Sequence, residues 1–323
     1  KNINASIGEV FFTSSATEAN NMVLKNAIKD LGIKRIISTP TEHHCVLHTL
    51  DFLKASNECE IILLNTDHSG NIQISDLEKL LLHKVPTLVS VMHGNNEIGT
   101  MADIHSIGKV CKDNKAIFHC DAVQTLGKFP IDVQMNNISF LSGSAHKFHG
   151  PKGNGFVYIS NENMLSPYIH GGAQERNMRA GTENVAGIAG LAKAFELANL
   201  NMFTNHQKIL DLRNYFKLLL SESLDDIRFN GNQEEYFMPH VLSVSFPPGP
   251  KADMLVMNLD IAGISASSGS ACSAGIEEDS HVLVAIGHSA ERKTIRFSFS
   301  AFNTVEEIKY TVQQLSEMTS LKK

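Results

Sequence analysis

The chain has 323 residues, 42% of them hydrophobic and 19% charged, which excludes global disorder and allows one large domain with a smaller companion. A net charge of −6 and a pI near 6.2 provide no general attraction for a phosphodiester backbone, so no nucleic acid is expected as a direct partner.

The chain starts at Lys1 without an initiator Met and turns extended near Gly8, so further sequence upstream is expected. It shows no basic-apolar-small signal order and no apolar run of the ~18–20 residues that span a bilayer. The expected location is the cytoplasm or an organelle matrix, with no membrane contact. From Glu9 to Ser160, short runs rich in Val, Ile and Phe alternate with stretches of helical period, predicting an α/β fold with a mainly parallel sheet. The predicted strands are EVFFT from Glu9, RIIST from Arg35, EIILLN from Glu60, TLVSVMH from Thr87, AIFHCD from Ala116, ISFLS from Ile138 and GFVYIS from Gly155.

Thr182 to Leu200 reads as an Ala-rich helix, and Thr204 to Ser221 as a second with apolar residues at Ile209, Leu212, Phe216 and Leu220. Beyond it, VLSVSF, a helix-like stretch from Ala252 to Leu259, ISAS, TIRFSFS and a helix from Val305 predict a smaller α+β domain. The expected division is residues 1–203 and 204–323. The small-residue patch from Ser265 to Gly275 reads as a mobile loop.

Candidate chemistry gathers after the predicted strands. SSATEANN, from Ser14, opens a helix and reads either as an N-cap or as an anion site made by backbone N–H groups and Thr17. TEHHCVL places His43 where it would stack on a flat ring, shuttle a proton or be structural. HGNNEIG holds Asn95 and Asn96, side-chain donors or an ordinary turn. Asp121, in HCDAVQTLGK with Gln124, would either pair with a protonated pyridine nitrogen or cap a helix.

SGSAHKFHGPKG, from Ser142, lacks the Ser or Thr that a phosphate-binding Walker loop places after its lysine, since Gly153 follows Lys152. A lysine at a strand's carboxyl end sits where such sheets place ligands, so Lys147 reads as a Schiff-base lysine or as a solvated loop residue. The five cysteines, Cys45, Cys59, Cys111, Cys120 and Cys272, form no CxxC pair and no disulfide framework. The first four fall in predicted helices or strands and read as small buried hydrophobes, whereas Cys272 lies in the small-residue patch. No metal is expected, because neither H-E-x-x-H nor paired CxxC spacing is present.

Taken in order along nearly the whole chain, ATEANN, TEHHCVL, MHGNNEIG, HCDAVQTLGK, SAHKFHGPKG, HGGAQERNMRAGTEN, SSGSACS and IRFSFS resemble the cysteine desulfurases. These belong to the class V aminotransferase group of fold-type I pyridoxal-phosphate enzymes. The resemblance implies that Lys147 holds the cofactor covalently, Asp121 pairs with its ring nitrogen, and Gln124 and Asn96 bond near its phenolic oxygen. It further implies that His43 stacks on the ring, that Ala16, Thr17, Ser144 and His146 bind the phosphate, and that Thr182 reaches the phosphate of the neighbouring subunit of a homodimer. Arg296, with Asn96, would bind the carboxylate of the substrate L-cysteine, as the guanidinium fork suits. Cys272 would be the nucleophile that takes the sulfur as a persulfide and passes it to an acceptor protein, such as an iron–sulfur scaffold or a tRNA-thiolation relay.

Two departures stand out. The family's upstream segment, with its D-N-N-A-T-T-like stretch, is not in this sequence, and Ser300 and Ala301 stand where relatives often have Gly-Arg. A class V transaminase has no use for a cysteine in a mobile loop, whereas a selenocysteine lyase or a non-catalytic relay subunit would share most of these motifs.

Overall fold

A computed structural model describes residues 2–268 and 280–319. Each predicted strand of the first half forms: β1 (Val10–Thr13), β2 (Arg35–Ser38), β3 (Glu60–Leu63), β4 (Thr87–Met92), β5 (Ile117–Asp121), β6 (Phe140–Ser144) and β7 (Gly155–Ile159). They make one seven-stranded sheet in the order β1-β7-β6-β5-β4-β2-β3. Strands β3, β2, β4, β5 and β6 are mutually parallel, so their carboxyl ends share one edge. Strand β7 runs antiparallel to both β6 and β1, which makes the sheet mainly rather than wholly parallel.

Successive side chains on a strand face opposite sides, and the sheet is buried on both. Ile36, Leu88, Phe140 and Val157 pack into one apolar cluster with α1 (Ala16–Asp30) and α2 (His44–Ala55). Ile37, Val89 and Leu141 pack into another with α3 (Ile74–Leu81) and α4 (Ile104–Asp113). The chain leaves β2 toward β3 and returns to β4 on the other side, so the direction of winding reverses between β2 and β4. Sheets of this kind bind ligands outside the carboxyl ends at such a reversal.

The free edge of β1 is blunted by side chains of α5 (Gln174–Asn177), where Glu175 and Arg176 are left-handed at φ 47° and 54°. Glu175 accepts from the Phe12 N–H at 2.9 Å, and Arg176 donates to the Val10 carbonyl at 2.6 Å. Backbone groups left open on an edge strand are thus occupied. Helix α6 (Val185–Leu200) begins three residues later than the predicted Thr182, because the Asn184 side chain accepts from the Gly187 N–H and sets the cap there.

The chain divides into two compact units. One comprises residues 1–65, 72–94 and 102–202; the other comprises 66–71, 95–101 and 203–323. Helix α7 (Met202–Ser223) leads into the second unit, whose sheet has the order β10-β11-β9-β8 and is antiparallel throughout. Its strands are β8 (Arg228–Asn230), β9 (Val241–Phe246), β10 (Ser267–Ser268) and β11 (Lys293–Ser298). Of the predicted ISAS, from Ile264, Ser267 joins it together with the following Ser268, and β8 is an addition to the predicted set. The helix-like stretch divides at Met254 into α8 (Pro250–Asp253) and α9 (Leu255–Ile261). After the short α10 (His281–Ala285), α11 (Val305–Thr319) closes the chain. Leu212, Phe216 and Leu220 pack with Val244, Phe297 and Val312 into the unit's own core. Among the described residues, no helix is long and apolar enough to cross a membrane.

Candidate active site

The site is built on the carboxyl edge of the large sheet. Asp121 ends β5 and is 5% exposed. Its Oδ1 accepts from the Val123 N–H at 3.0 Å and its Oδ2 from the Asn20 amide at 2.7 Å. Burial raises its carboxyl above the ordinary aspartate range, against the pull of these two donors and of the His43 and Lys147 charges. No helix starts at Asp121, so the capping alternative fails; the following residues form a turn that carries the half-buried Gln124.

Lys147 lies in a single turn of 3-10 helix, Ala145–Phe148, directly after β6. His149 then turns left-handed at φ 65° and the chain doubles back, with the Gly150 N–H donating to the Ala145 carbonyl at 2.9 Å. Lys147 is thereby held half-buried at the sheet edge. Beside it, the Ser144 hydroxyl and His146 Nδ1 are 2.9 Å apart. His146 is pushed down, first by burial and then by the charges of Lys147, Lys152 and Lys128. The Lys128 amine donates to the Gln124 carbonyl at 3.1 Å, and burial together with Lys147 pushes it down to about 7.

Helix α1 starts at Ala16, with Ser15 as N-cap accepting from the Glu18 N–H. The cap reading is therefore correct for Ser15, and it leaves Thr17 exposed in the first turn. A close approach brings this turn onto the sheet edge: a Cβ on Gly155 would lie 2.6 Å from the Ser15 backbone and 2.8 Å from the Gly143 carbonyl. Only glycine allows that packing. Thr17 bonds the thiol of Cys45, and Asn20 donates to the same sulfur at 3.2 Å.

His43 caps α2, its Nδ1 accepting from the Cys45 N–H at 3.1 Å, so the ring proton of its neutral form sits on Nε2. Its neighbour Glu42 is wholly buried. One Glu42 oxygen accepts from the Thr39 hydroxyl and from the Met92 N–H, each at 2.9 Å, tying the end of β2 to that of β4. Burial, with the nearby Asp121 charge, pushes the Glu42 carboxyl up to about 8, so it holds a proton at neutral pH.

Asp121, His43, Lys147, Gln124, Ser144, His146, Ala16 and Thr17 thus all belong to this edge of the first unit. Thr182 is exposed and lines a cavity of about 110 Å³ with Ser14, Asn154, Glu175 and Arg179. In the second unit, Arg296 on β11 donates to the Asn96 carbonyl at 3.0 Å, which brings two further candidates together. The neighbouring Asn95 is a turn former, its side chain accepting from the Glu97 and Ile98 N–H groups at 2.8 and 3.0 Å. Cys272 lies outside the described residues.

The other four cysteines are poor nucleophiles. Burial pushes Cys45 and Cys111 up to about 12, Cys59 up to about 11 and Cys120 well above the usual thiol range, with nearby carboxylates adding to all but Cys111. A thiol must be ionised to attack, so none of them is primed. Cys59 differs from expectation in lying in the turn before β3 rather than inside an element.

Asn20, Glu42 and Lys128 are absent from the sequence-based set. Asn20 carried a signal: an asparagine inside a helix, away from either cap, is unfavourable unless its amide has a use. The residues fit an anionic, nitrogen-heterocyclic cofactor. The charges of Lys147, Lys152 and Lys128 depress the His146 imidazole, and Lys147 also depresses Lys128, beside a helix N-terminus, an arrangement that an anion relieves. Asp121 offers a buried carboxylate to a protonated ring nitrogen.

Residues 1–311 match the family model described as aminotransferase class V. A putative cysteine desulfurase IscS 1 of Bacillus subtilis is 42% identical over 322 residues, covering 98% of this chain and 84% of the relative. A cysteine desulfurase IscS of Dictyoglomus turgidum is 41% identical, covering 98% and 81%. Among solved structures, a NifS-like protein superposes with a TM-score of 0.88 at 35% identity, covering 99% of this chain and 84% of that one. The apo structure of a cysteine desulfurase from Thermococcus onnurineus superposes with a TM-score of 0.86 at 26% identity, covering 98% and 81%.

Proposed function

From membership of the class V aminotransferase family, to which this chain belongs, we propose that it is a pyridoxal-phosphate-dependent cysteine desulfurase. It converts L-cysteine to L-alanine and carries the sulfur as a persulfide on Cys272 to an acceptor protein for iron–sulfur cluster assembly or tRNA thiolation. The observation that carries this reading is the meeting of buried Asp121 with Lys147 and His43 at the carboxyl edge of the large sheet.

Lys147 holds the cofactor through Nζ, and Ala16, Thr17, Ser144 and His146 hold its phosphate. Bound pyridoxal phosphate supplies an electron sink for charge developing at the substrate α-carbon. Asp121 would keep the proton on the ring nitrogen, Gln124 and Asn96 would bond near the phenolic oxygen, and His43 would stack on the ring and move protons. The Lys147 amine would take the α-proton. Arg296, with Asn96, binds the substrate carboxylate. The Cys272 thiolate attacks the substrate sulfur: the S–S bond forms as the carbon–sulfur bond breaks, and the carbon skeleton leaves as alanine once protonated. Atoms balance, since one cysteine and one thiol become one alanine and one persulfide. Thr182 completes the phosphate site of a second copy in a homodimer.

Cys272→Ser tests the assignment. The variant should take up pyridoxal phosphate and L-cysteine, with their absorbance changes intact, yet form no persulfide by mass spectrometry and release no sulfide. Undiminished turnover would remove Cys272 from its role.

A further inference from the structure

Asn20 is the fifth residue of α1, is wholly buried, and stands 101 positions from the carboxylate it contacts. Its Nδ2 donates to Asp121 Oδ2 at 2.7 Å and to Cys45 Sγ at 3.2 Å. Its Oδ1 is also buried and accepts no hydrogen bond among the described residues. An orphaned buried oxygen is costly, so the amide would turn over if that gained anything. Turning it would set Oδ1 against an Asp121 oxygen, which repels while that carboxyl is charged. In the observed orientation both Asp121 oxygens accept, an arrangement that suits the ionised carboxyl.

We propose that Asn20 is a positioning residue that keeps Asp121 ionised and fixed for the ring nitrogen of the cofactor, an inference that rests on the function proposed above. Val123 holds Oδ1 from the strand's own continuation, and Asn20 holds Oδ2 from α1, so the carboxylate is gripped from two elements. Asn20 lies one helical turn beyond Ala16 and Thr17, on the same side of α1, about 6 Å and 4.5 Å along its axis. One rigid helix thus serves both ends of a single ligand, the phosphate at its first turn and the ring nitrogen one turn on. Cys45, from α2, anchors the amide from behind; a neutral thiol suffices for that, which gives this unreactive cysteine a use.

The other titratable groups around Asp121 are Glu42 and His43 at the end of β2, Cys45 on α2, Cys120 beside it on β5 and Lys147 after β6. Glu42 is protonated at neutral pH and both thiols are neutral, so none of these three sets a negative charge beside Asp121.

The test uses Asn20→Leu, which keeps the volume but removes the donor, with Cys45→Ala as a control that spares the Asp121 contact. In the cofactor-free chain, the Asp121 carboxyl carbon is titrated by NMR. Asn20→Leu should raise its midpoint by about one pH unit or more, and Cys45→Ala should leave it nearly unmoved. In the loaded chain, Asn20→Leu should weaken pyridoxal phosphate binding about tenfold and shift the pH midpoint of its absorbance. An unmoved Asp121 midpoint in Asn20→Leu overturns the inference, even with normal cofactor uptake. A raised midpoint in a chain whose wild type takes up no pyridoxal phosphate instead removes the proposed function, and leaves the grip of Asn20 on Asp121 standing.

Discussion

In the middle of the large sheet, His119 on β5 is wholly buried between two hydroxyls: Nδ1 lies 2.9 Å from Ser90 on β4, and Nε2 lies 3.2 Å from Ser142 on β6. Burial pushes this imidazole down to about 3, so it is neutral and each ring nitrogen has a partner. Two residues further along the same strand, at the sheet's edge, Asp121 is 5% exposed and lies among titratable groups brought from several elements. The charges of three lysines bear on His146 nearby, and Glu42 keeps a proton. A buried polar group whose partners all come from the sheet is structural. A cluster of titratable groups gathered from several elements at a strand edge marks a candidate ligand site.

Three experiments press on that contrast. The largest effect is expected at the edge: Lys147→Ala should lower alanine release from L-cysteine by about 10³-fold or more, with the circular dichroism spectrum unchanged. Retained turnover in borohydride-treated protein would show that the amine is not the attachment point.

The next effect is in stability against pH. The folded Glu42 carboxyl titrates near 8, above the 4.5 of an ordinary glutamate, so the fold binds the proton more tightly than the unfolded chain does. Its contribution is complete below pH ~4.5 and is lost as pH rises through about 8. Glu42→Gln keeps an oxygen for the Met92 and Thr39 donors and cannot ionise, so urea unfolding between pH 5 and 9 should show a flatter alkaline decline. An identical decline would place the titrating group elsewhere.

The smallest effect belongs to the middle of the sheet. His119→Phe orphans two serine hydroxyls and should cost about 1–3 kcal/mol in urea unfolding at pH 7, while kcat per folded molecule stays unchanged. The sign with pH is opposite to that of Glu42. The folded imidazole titrates near 3 against 6.5 unfolded, so its stabilisation is present above pH ~6.5 and declines as pH falls, a decline the variant should lack. A fall in kcat with unchanged stability would dissolve the distinction between the two regions.

Much of the large sheet is legible along the chain. Runs such as RIIS and TLVSVM are rich in β-branched residues and buried along their whole length, as strands covered on both faces are, and all seven predicted strands form. Strand direction is less legible: GFVYI reads like its neighbours, yet β7 runs antiparallel, a choice made by the path of the preceding turn. The second unit is harder to read. Its β8 has three residues and its β10 two, too short for alternation to show. In the site, side chains whose residue type is itself unusual at a strand end, such as Lys147 and Asp121, are visible beforehand. Asn20 and Glu42 look like ordinary members of ATEANN and TEHH, because their use lies in what they touch.

The sequence by itself determined the layering and the supply of reactive types, since hydrophobic period and residue identity are local properties. Only the tertiary structure decided the pairings: Asn20 with Asp121, Glu42 with the Met92 backbone, Arg296 with the Asn96 carbonyl 200 residues away. The physical reason is that a charge state depends on burial and on partners brought from other elements. Burial raises both Glu42 and Asp121, and the donors and charges that the fold sets around each decide how far.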